Sequence, residues 1–315
     1  MNATALRGDR PDTDQASVPP AVVELHGVGK RYGAIEALSD VDLRVNAGDV
    51  VAILGPNGAG KTTAISIMLG LRPPSSGHVR ILGGEAGSHA VRSRVGAMLQ
   101  ESGVPATLKV NEVVDLFRSY YPVALPRDMV LAAAGLADAS SKRVGSLSAG
   151  QKQRLYFGIA ISGDPDLLFL DEPTTGMDVE SRHRFWEQIR SFATSGKTIL
   201  FSTHILEEAD ALANRIVVID RGRIVASGTP AQLKGRSMGT QIRLRGPFTA
   251  EEVAAWPGVR QVTATGAVLV LGVDDATNVM RRIFADGRTV DEVSIEEAGL
   301  ESAFLGMTRV TETNR

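Results

Sequence analysis

Cysteine is absent from the 315 residues, which excludes disulfides, thiolate metal sites and a catalytic thiol, and leaves a fold independent of redox chemistry. A surplus of charge of either sign is missing too, since 34 Lys+Arg against 36 Asp+Glu give a net charge of −2. Such a balance argues against a dedicated nucleic-acid binder, which carries a basic surplus or a basic stripe. No stretch approaches the roughly 18 uninterrupted apolar residues of a membrane-spanning helix. The first twenty residues contain Asp9, Pro11, Asp12, Asp14, Pro19 and Pro20 and lack an apolar core. They therefore do not read as a signal peptide, and residues 1–20 are expected to form a disordered tail. The expectation is a soluble intracellular chain that reaches a membrane only through a partner.

Against these absences stands an ordinary globular composition, 43% hydrophobic and 22% charged, in a chain long enough for one large domain or two ordinary ones. Val22 opens an alternating strand, VVELHGV, and Val41–Val45 reads as a second short strand. Val50–Leu54 is a continuous apolar run rich in β-branched residues, the pattern of a strand buried on both faces of a parallel sheet. Similar runs recur at Val95–Leu99, Leu167–Leu170, Thr198–Phe201 and Ile216–Ile219. Helical stretches fall between them at Thr62–Leu69, Val110–Tyr121, Gly150–Ile161, Val179–Ala193 and Glu207–Ala213. The alternation predicts an α/β domain over residues 21–235. After a linker-like GRSMG at Gly235–Gly239, residues 236–315 carry a β-α-β-β-α-β order and a short terminal helix near Leu300–Met307, the pattern of a small α+β domain.

The chemistry is concentrated in a few segments. Gly55-Pro56-Asn57-Gly58-Ala59-Gly60-Lys61-Thr62, followed by Thr63, fits G-x-x-x-x-G-K-[ST] between a buried strand and a helix. Glycines let successive N–H groups point into one concavity at a helix N-terminus, where phosphate oxygens bind. Lys61 is then placed to reach the β- and γ-phosphates of a nucleotide, and the Thr62 hydroxyl to ligate Mg²⁺. Leu167–Leu170 runs into Asp171 and Glu172. Asp171 ends the strand, where parallel sheets bind ligands, and can hold Mg²⁺ beside the first strand. Glu172 points elsewhere and is free to polarise an attacking water as general base. His204, after the strand Thr198–Phe201, is either a packed or capping residue or a contact for a γ-phosphate. Ser148 N-caps a helix that begins Ala149-Gly150-Gln151, which reads either as a plain capped start or as an anion-facing one.

With these segments in this order, the chain resembles the ATP-binding cassette (ABC) ATPases, the nucleotide-binding subunits of ABC transporters, over about residues 22–235. The expected fold is thus an α/β P-loop NTPase of that type, a mixed sheet core with a helical subdomain, plus the small C-terminal domain. The resemblance implies that Tyr32 in KRYG stacks on adenine and that Gln100 in AMLQE contacts Mg²⁺ and water while sensing the transport partner. Ser148, Gly150 and Gln151 match the family signature, Asp171 and Glu172 the Walker B aspartate and catalytic glutamate, and His204 the switch histidine. Thr175-Gly176-Met177-Asp178 matches the D-loop. The signature reads LSAGQ where LSGGQ is usual, and the D-loop reads GMDVES rather than GLDPES. Ala149 is still small and Asp178 is in place, so both sites are expected to function.

In the family, two such domains pack head to tail, and each ATP lies between one subunit's phosphate loop and the other's signature. With one set of motifs here, the implied partners are a second ATP-binding subunit, identical or a sister chain, and a transmembrane permease at the cytoplasmic face of the membrane. ATP closes the pair, hydrolysis reopens it, and the motion passes through the helical region around residues 101–145. STHILEEADALANRIVVIDRGRIVASGTP and the later SIEEAGLESAFLGMT resemble the daunorubicin-resistance branch, which implies export of drugs, antibiotics or other hydrophobic compounds. The C-terminal domain is either an aid to dimerisation and regulation or a passive stabilising appendage. The alternative, a soluble ABC ATPase acting on ribosomes or DNA, would bring two cassettes or long coiled coils, and neither is present. A P-loop kinase or GTPase would lack the signature, Gln100 and His204.

Overall fold

The computed structural model describes residues 20–100, 103–236, 240–297 and 304. The expected tail, all but its last residue, the Ser237–Gly239 part of the expected linker and, except for Phe304, the expected helix at Leu300–Met307 lie outside the described residues. In chain order the elements of the large domain begin with β1 (Ala21–Tyr32), β2 (Ile35–Asn46), β3 (Val50–Leu54), α1 (Lys61–Met68), β4 (Ser76–Ile81), β5 (Gly84–Glu85), α2 (His89–Arg92) and β6 (Val95–Met98). Next come α3 (Val110–Arg118), α4 (Arg127–Ala133), α5 (Ala149–Ile161), β7 (Leu167–Asp171), α6 (Val179–Ala193), β8 (Thr198–Thr203), α7 (Leu206–Leu212), β9 (Arg215–Asp220), β10 (Arg223–Gly228) and α8 (Pro230–Arg236).

Two sheets make the large domain. The six-stranded sheet runs β10-β9-β3-β8-β7-β6, parallel except for the antiparallel edge strand β10, and the other is an antiparallel β2-β1-β4-β5. The apolar runs are explained by what each face meets. Ala52 and Leu54 of β3, Leu168 and Leu170 of β7, and Ile216 and Val218 of β9 enter one core with α5, α6 and the helices α3 and α4. Their alternates, Val51, Ile53, Leu167, Phe169, Val217 and Ile219, enter a second core with α1 and the antiparallel sheet. Successive side chains of a strand point to opposite faces, so a strand between two cores must be apolar throughout.

Two readings are adjusted. The short strand expected at Val41–Val45 is the end of the twelve-residue β2, whose first half buries only Leu38 and so lacks an alternating apolar signature. The linker expected from Gly235 starts inside α8, which runs through Arg236.

The small domain comprises β11 (Thr240–Arg245), α9 (Ala250–Ala254), β12 (Val259–Thr265), β13 (Val268–Val273), α10 (Ala276–Ala285) and β14 (Glu292–Glu297). Its antiparallel sheet has the order β12-β13-β11-β14, the split β-α-β arrangement in which both helices cover one face. Ile242, Leu244, Leu271, Val279 and Ile283 fill its own core, closed by Trp256 edge-on to Phe248. Phe304 packs against the first core of the large domain.

Candidate functional site

The parallel order β3-β8-β7 brings three strand ends together, as the sequence predicts, with one difference. β8 lies between the strand that precedes the glycine loop and the strand that ends in Asp171, so Asp171 is one strand away from β3 rather than beside it. The register pairs Leu54 with Thr203 and Asp171 with Ser202. The loop itself requires glycine where the backbone is crowded. A Cβ on Gly55 would fall 2.3 Å from the Ile219 carbonyl oxygen. Gly60 is left-handed at φ 108° and N-caps α1, with no side chain covering the first amides of the helix. Those free amides, at the positive end of the helix, are donors suited to an anion.

Lys61 is buried although charged. Its Nζ donates to the carbonyl oxygens of Gly55 at 2.8 Å and Pro56 at 3.1 Å, and lies 3.3 Å from Glu172 Oε1. Above it opens a cavity of about 370 Å³ lined by Asn57, Gly58, Gly60, Lys61, Thr62, Thr63, Gln100 and Glu172, with Ala37 of β2 on its rim. Ala59 lies beneath, its carbonyl accepting from the Gly222 N–H at 2.9 Å.

Asp171 is only 2% exposed. Its Oδ1 accepts from the Thr62 hydroxyl at 3.3 Å and from the Ser202 hydroxyl. Burial is the main cause that pushes its carboxyl above the usual carboxylate range, against the lowering effect of those two hydroxyls. A buried carboxylate beside a threonine hydroxyl, with its charge left short of compensation, is an oxygen donor set suited to a hard cation such as Mg²⁺. Thr62 and Asp171 would hold that ion, with Gln100 on the same cavity wall. Among the described residues no group of three or more His, Asp or Glu forms a metal cage.

A raised carboxyl pKa means that the folded, nucleotide-free chain bears a cost at pH above that value, a cost that disappears once the group is protonated in both states. Asp171→Asn is therefore expected to raise the Tm of the nucleotide-free protein at pH 8, with a gain that shrinks as the pH is lowered toward the ordinary carboxylate range. Calorimetry along that pH series checks it, and an equal or lower Tm at pH 8 counts against the burial cost.

Glu172 leaves the strand in the left-handed region, at φ 48°, a conformation that costs a non-glycine residue energy and is held only by its surroundings. Its N–H donates to the Ser202 hydroxyl oxygen at 3.0 Å, while that hydroxyl donates to Asp171. Ser202 thus clamps both carboxylate residues, one through its backbone and one through its side chain. The turn aims Glu172 Oε1 at the cavity, 3.5 Å from His204 Nδ1. His204 is half exposed at the end of β8. It does not cap α7, whose N-cap is Ile205.

Other expected residues lie outside that cavity. Tyr32, at the end of β1, is 38% exposed, with Lys30 Nζ at 5.3 Å and the Arg72 guanidinium at 5.6 Å from its ring centre. Ser148 N-caps α5 in a reciprocal capping box, accepting from the Gln151 N–H at 3.2 Å while the Gln151 side chain accepts from the Ser148 N–H at 3.0 Å. Gly150 faces Ser181 and Met177 at the start of α6. None of Ser148, Gly150 and Gln151 lines the cavity above Lys61. Asp178 N-caps α6, taking the Ser181 N–H and hydroxyl at 2.8 Å each. These bonds, the backbone one first, hold its carboxyl below the usual range.

Two residues of this region were not anticipated. Ser202 was visible only as the residue two before His204, and its role follows from the β7–β8 register. Glu208 is 1% exposed, and no sequence pattern marks it as buried.

A family model described as ABC transporter matches residues 38–175. The chain is 35% identical over 302 residues to a Nod factor export ATP-binding protein I of Burkholderia lata, covering 92% of this chain and 98% of that protein. A protein of the same description from Rhizobium johnstonii is 33% identical over 308 residues, covering 94% and 98%. Among solved structures, an ATP-binding subunit of an ABC transporter superposes with a TM-score of 0.61 at 28% identity, over 68% of this chain and 92% of that one. A dimeric bacterial ABC transporter cassette gives a TM-score of 0.60 at 24% identity, over 66% and 98%, a likeness of fold.

Proposed function

This chain belongs to the ABC transporter family as an ATP-binding subunit that hydrolyses ATP, and we propose that it drives export through a separate membrane-spanning subunit, with each ATP held between two copies of such a domain. The observation that carries the reading is the position of Glu172 Oε1, 3.3 Å from Lys61 Nζ and 3.5 Å from His204 Nδ1 at the cavity wall. In this reading the loop amides and Lys61 bind the β- and γ-phosphates, and Tyr32 stacks on the adenine. Glu172 takes a proton from the water whose oxygen attacks the γ-phosphorus as the bond to ADP breaks. His204 donates a hydrogen bond to the γ-phosphate and fixes its orientation. Mg²⁺ held by Thr62, Asp171 and Gln100 would neutralise developing charge on the phosphates.

A second copy is called for because the signature residues lie outside the cavity. Ser148, Gly150, Gln151 and Asp178 would complete the site of the opposing chain. The permease reading is supported by an apolar groove of about 290 Å³ beside Gln100, lined among others by Leu69, Leu71, Leu99, Phe117 and Tyr121. No helix among the described residues is long and apolar enough to cross a membrane, so a spanning partner would place the chain at the membrane's cytoplasmic face. The relatives carry export in their names, which favours export over action on ribosomes or DNA. Drugs or other hydrophobic compounds as cargo rest on the resemblance of the STHILEEADALANRIVVIDRGRIVASGTP segment alone.

The two-chain site is tested by mixing. Lys61→Ala and Ser148→Arg are each expected to be inactive alone. Mixed in equal amounts, half the dimers pair one of each and contain one intact composite site, so roughly a quarter of wild-type activity returns. No recovery in verified mixed dimers sinks the shared site.

A further inference from the structure

Glu208, on α7 one turn beyond His204, is a charged side chain with no part in the chemistry above, yet it is 1% exposed. Its Oε1 accepts from Trp186 Nε1 of α6 at 3.2 Å. Its Oε2 is buried without a hydrogen-bond partner, as is the Nε of Arg182, also on α6. The hydroxyls of Thr203 and Thr174 stand near the carboxylate, and Arg182 acts on it through space, while burial pushes its carboxyl above the ordinary range. A carboxylate kept buried at such cost, where an apolar side chain would pack without penalty, points to a role other than stability.

Its neighbours indicate that role. Thr203 is the last residue of β8 and immediately precedes His204. The Thr203 hydroxyl oxygen accepts from the Ile205 N–H at 2.9 Å, which shapes the turn carrying His204 and leaves the hydroxyl proton free to point at Glu208. Thr174 lies two residues beyond Glu172 and is itself buried. Trp186 and Arg182 stand on the helix that Asp178 caps, and Trp186 packs against the ring of His183. The same two helices are tied again by Arg190 of α6, whose guanidinium donates to the Ala211 carbonyl at 2.9 Å. One carboxylate therefore sits where the segments bearing Glu172, Asp178 and His204 converge.

We propose that Glu208 is a positioning residue that locks the His204 turn to the helix begun by Asp178, so that displacement of Asp178 is passed to His204. This rests on the reading of His204 as the γ-phosphate contact. The lock works through the charge of the carboxylate, which accepts from Trp186 Nε1 at 3.2 Å and faces the hydroxyls of Thr203 and Thr174 and the cation of Arg182. Binding of ATP to the loop does not involve Glu208, so the effect belongs in turnover and not in affinity.

The test is steady-state ATP hydrolysis by the full chain carrying Glu208→Gln, Trp186→Phe, both together, and His204→Ala alongside. Glu208→Gln keeps the shape and an acceptor for Trp186 while removing the charge. It is expected to lower kcat about tenfold with KM for ATP within twofold, and with a Tm equal to or above that of the wild type. Trp186→Phe should lower kcat in the same direction, and the double variant should be no worse than the worse single one, as expected for two parts of one contact. Glutamine fills the same space as glutamate, so a merely space-filling role predicts wild-type kcat for Glu208→Gln. A kcat for Glu208→Gln within twofold of wild type, or a rise in KM that accounts for the loss, overturns the proposal while an inactive His204→Ala leaves the His204 reading standing. Wild-type turnover in His204→Ala overturns both. Should Glu208→Gln fail to fold, Trp186→Phe carries the same decision alone.

Discussion

Replacing Glu172 by glutamine is expected to lower the single-turnover rate of ATP hydrolysis by about 10²–10⁴-fold, the range assigned to a positioned general base, while ATP affinity stays within a few-fold of wild type. The substitution conserves shape. The amide oxygen can still face Lys61 Nζ, 3.3 Å from the present Oε1, and the left-handed turn at φ 48° is held by backbone bonds to Ser202 that do not involve the side chain. What is lost is the basicity needed to take the proton from the attacking water. Removing a negative charge from the wall that faces the γ-phosphate also removes a repulsion, so the pre-hydrolysis state should be held longer and the two chains should stay paired in ATP. Rapid-quench hydrolysis with nucleotide-binding titration and sedimentation separates these terms. Wild-type turnover would remove Glu172 as the base. Lost binding would instead make its pairing with Lys61 a structural contact.

The extent to which this site was legible in the sequence follows from how each part is encoded. The glycine loop is local: the eight consecutive positions Gly55–Thr62 dictate the backbone path, and the run Val50–Leu54 before it is apolar because its alternate residues enter two different cores. Asp171 and Glu172 end a strand whose residues Leu167–Leu170 are all buried, and this too shows as a run. The strands missed by pattern are those without a second core. β4 buries only Ile81, and β10 is a half-buried antiparallel edge, so neither has an apolar signature. Non-local pairing hid the rest. Ser202 serves Asp171 and Glu172 only because β7 and β8 pair in one register, and a slip of one residue would turn its hydroxyl to the opposite face. Glu208 reads as one more acid on a surface helix, since Glu207 beside it is exposed, and only the packing of α7 on Trp186 makes it buried. In the small domain the β-α-β-β-α-β order of elements is legible in the sequence and recurs in the structure, but the strand order β12-β13-β11-β14 depends on which strands find each other.

Removing the ammonium of Lys61 should act on the opposite quantity from Glu172→Gln. Lys61→Ala is expected to weaken ATP binding by about 100-fold or more, the result of losing two charge-assisted hydrogen bonds at roughly 1.5–3 kcal/mol each. The side chain is 4% exposed and threads between the carbonyl oxygens of Gly55 and Pro56, at 2.8 and 3.1 Å. Its charge is thus already desolvated and oriented before any phosphate arrives, and little ordering cost falls on the moment of binding. Lys61→Arg should not restore affinity, because a planar guanidinium cannot replace a compact ammonium between two carbonyls set for a point donor. The fold should survive, since α1 is anchored by Ala64, Ile65, Ile67 and Met68 in the second core and not by Lys61. Equilibrium titration with a fluorescent ATP analogue and a melt without nucleotide give the two readouts. Affinity within threefold of wild type would mean that the loop amides alone hold the phosphates and that Lys61 serves the loop's own structure. An unchanged melt with lost affinity, set against retained affinity and lost turnover in Glu172→Gln, would assign the two ends of a single 3.3 Å contact to separate steps of the same reaction.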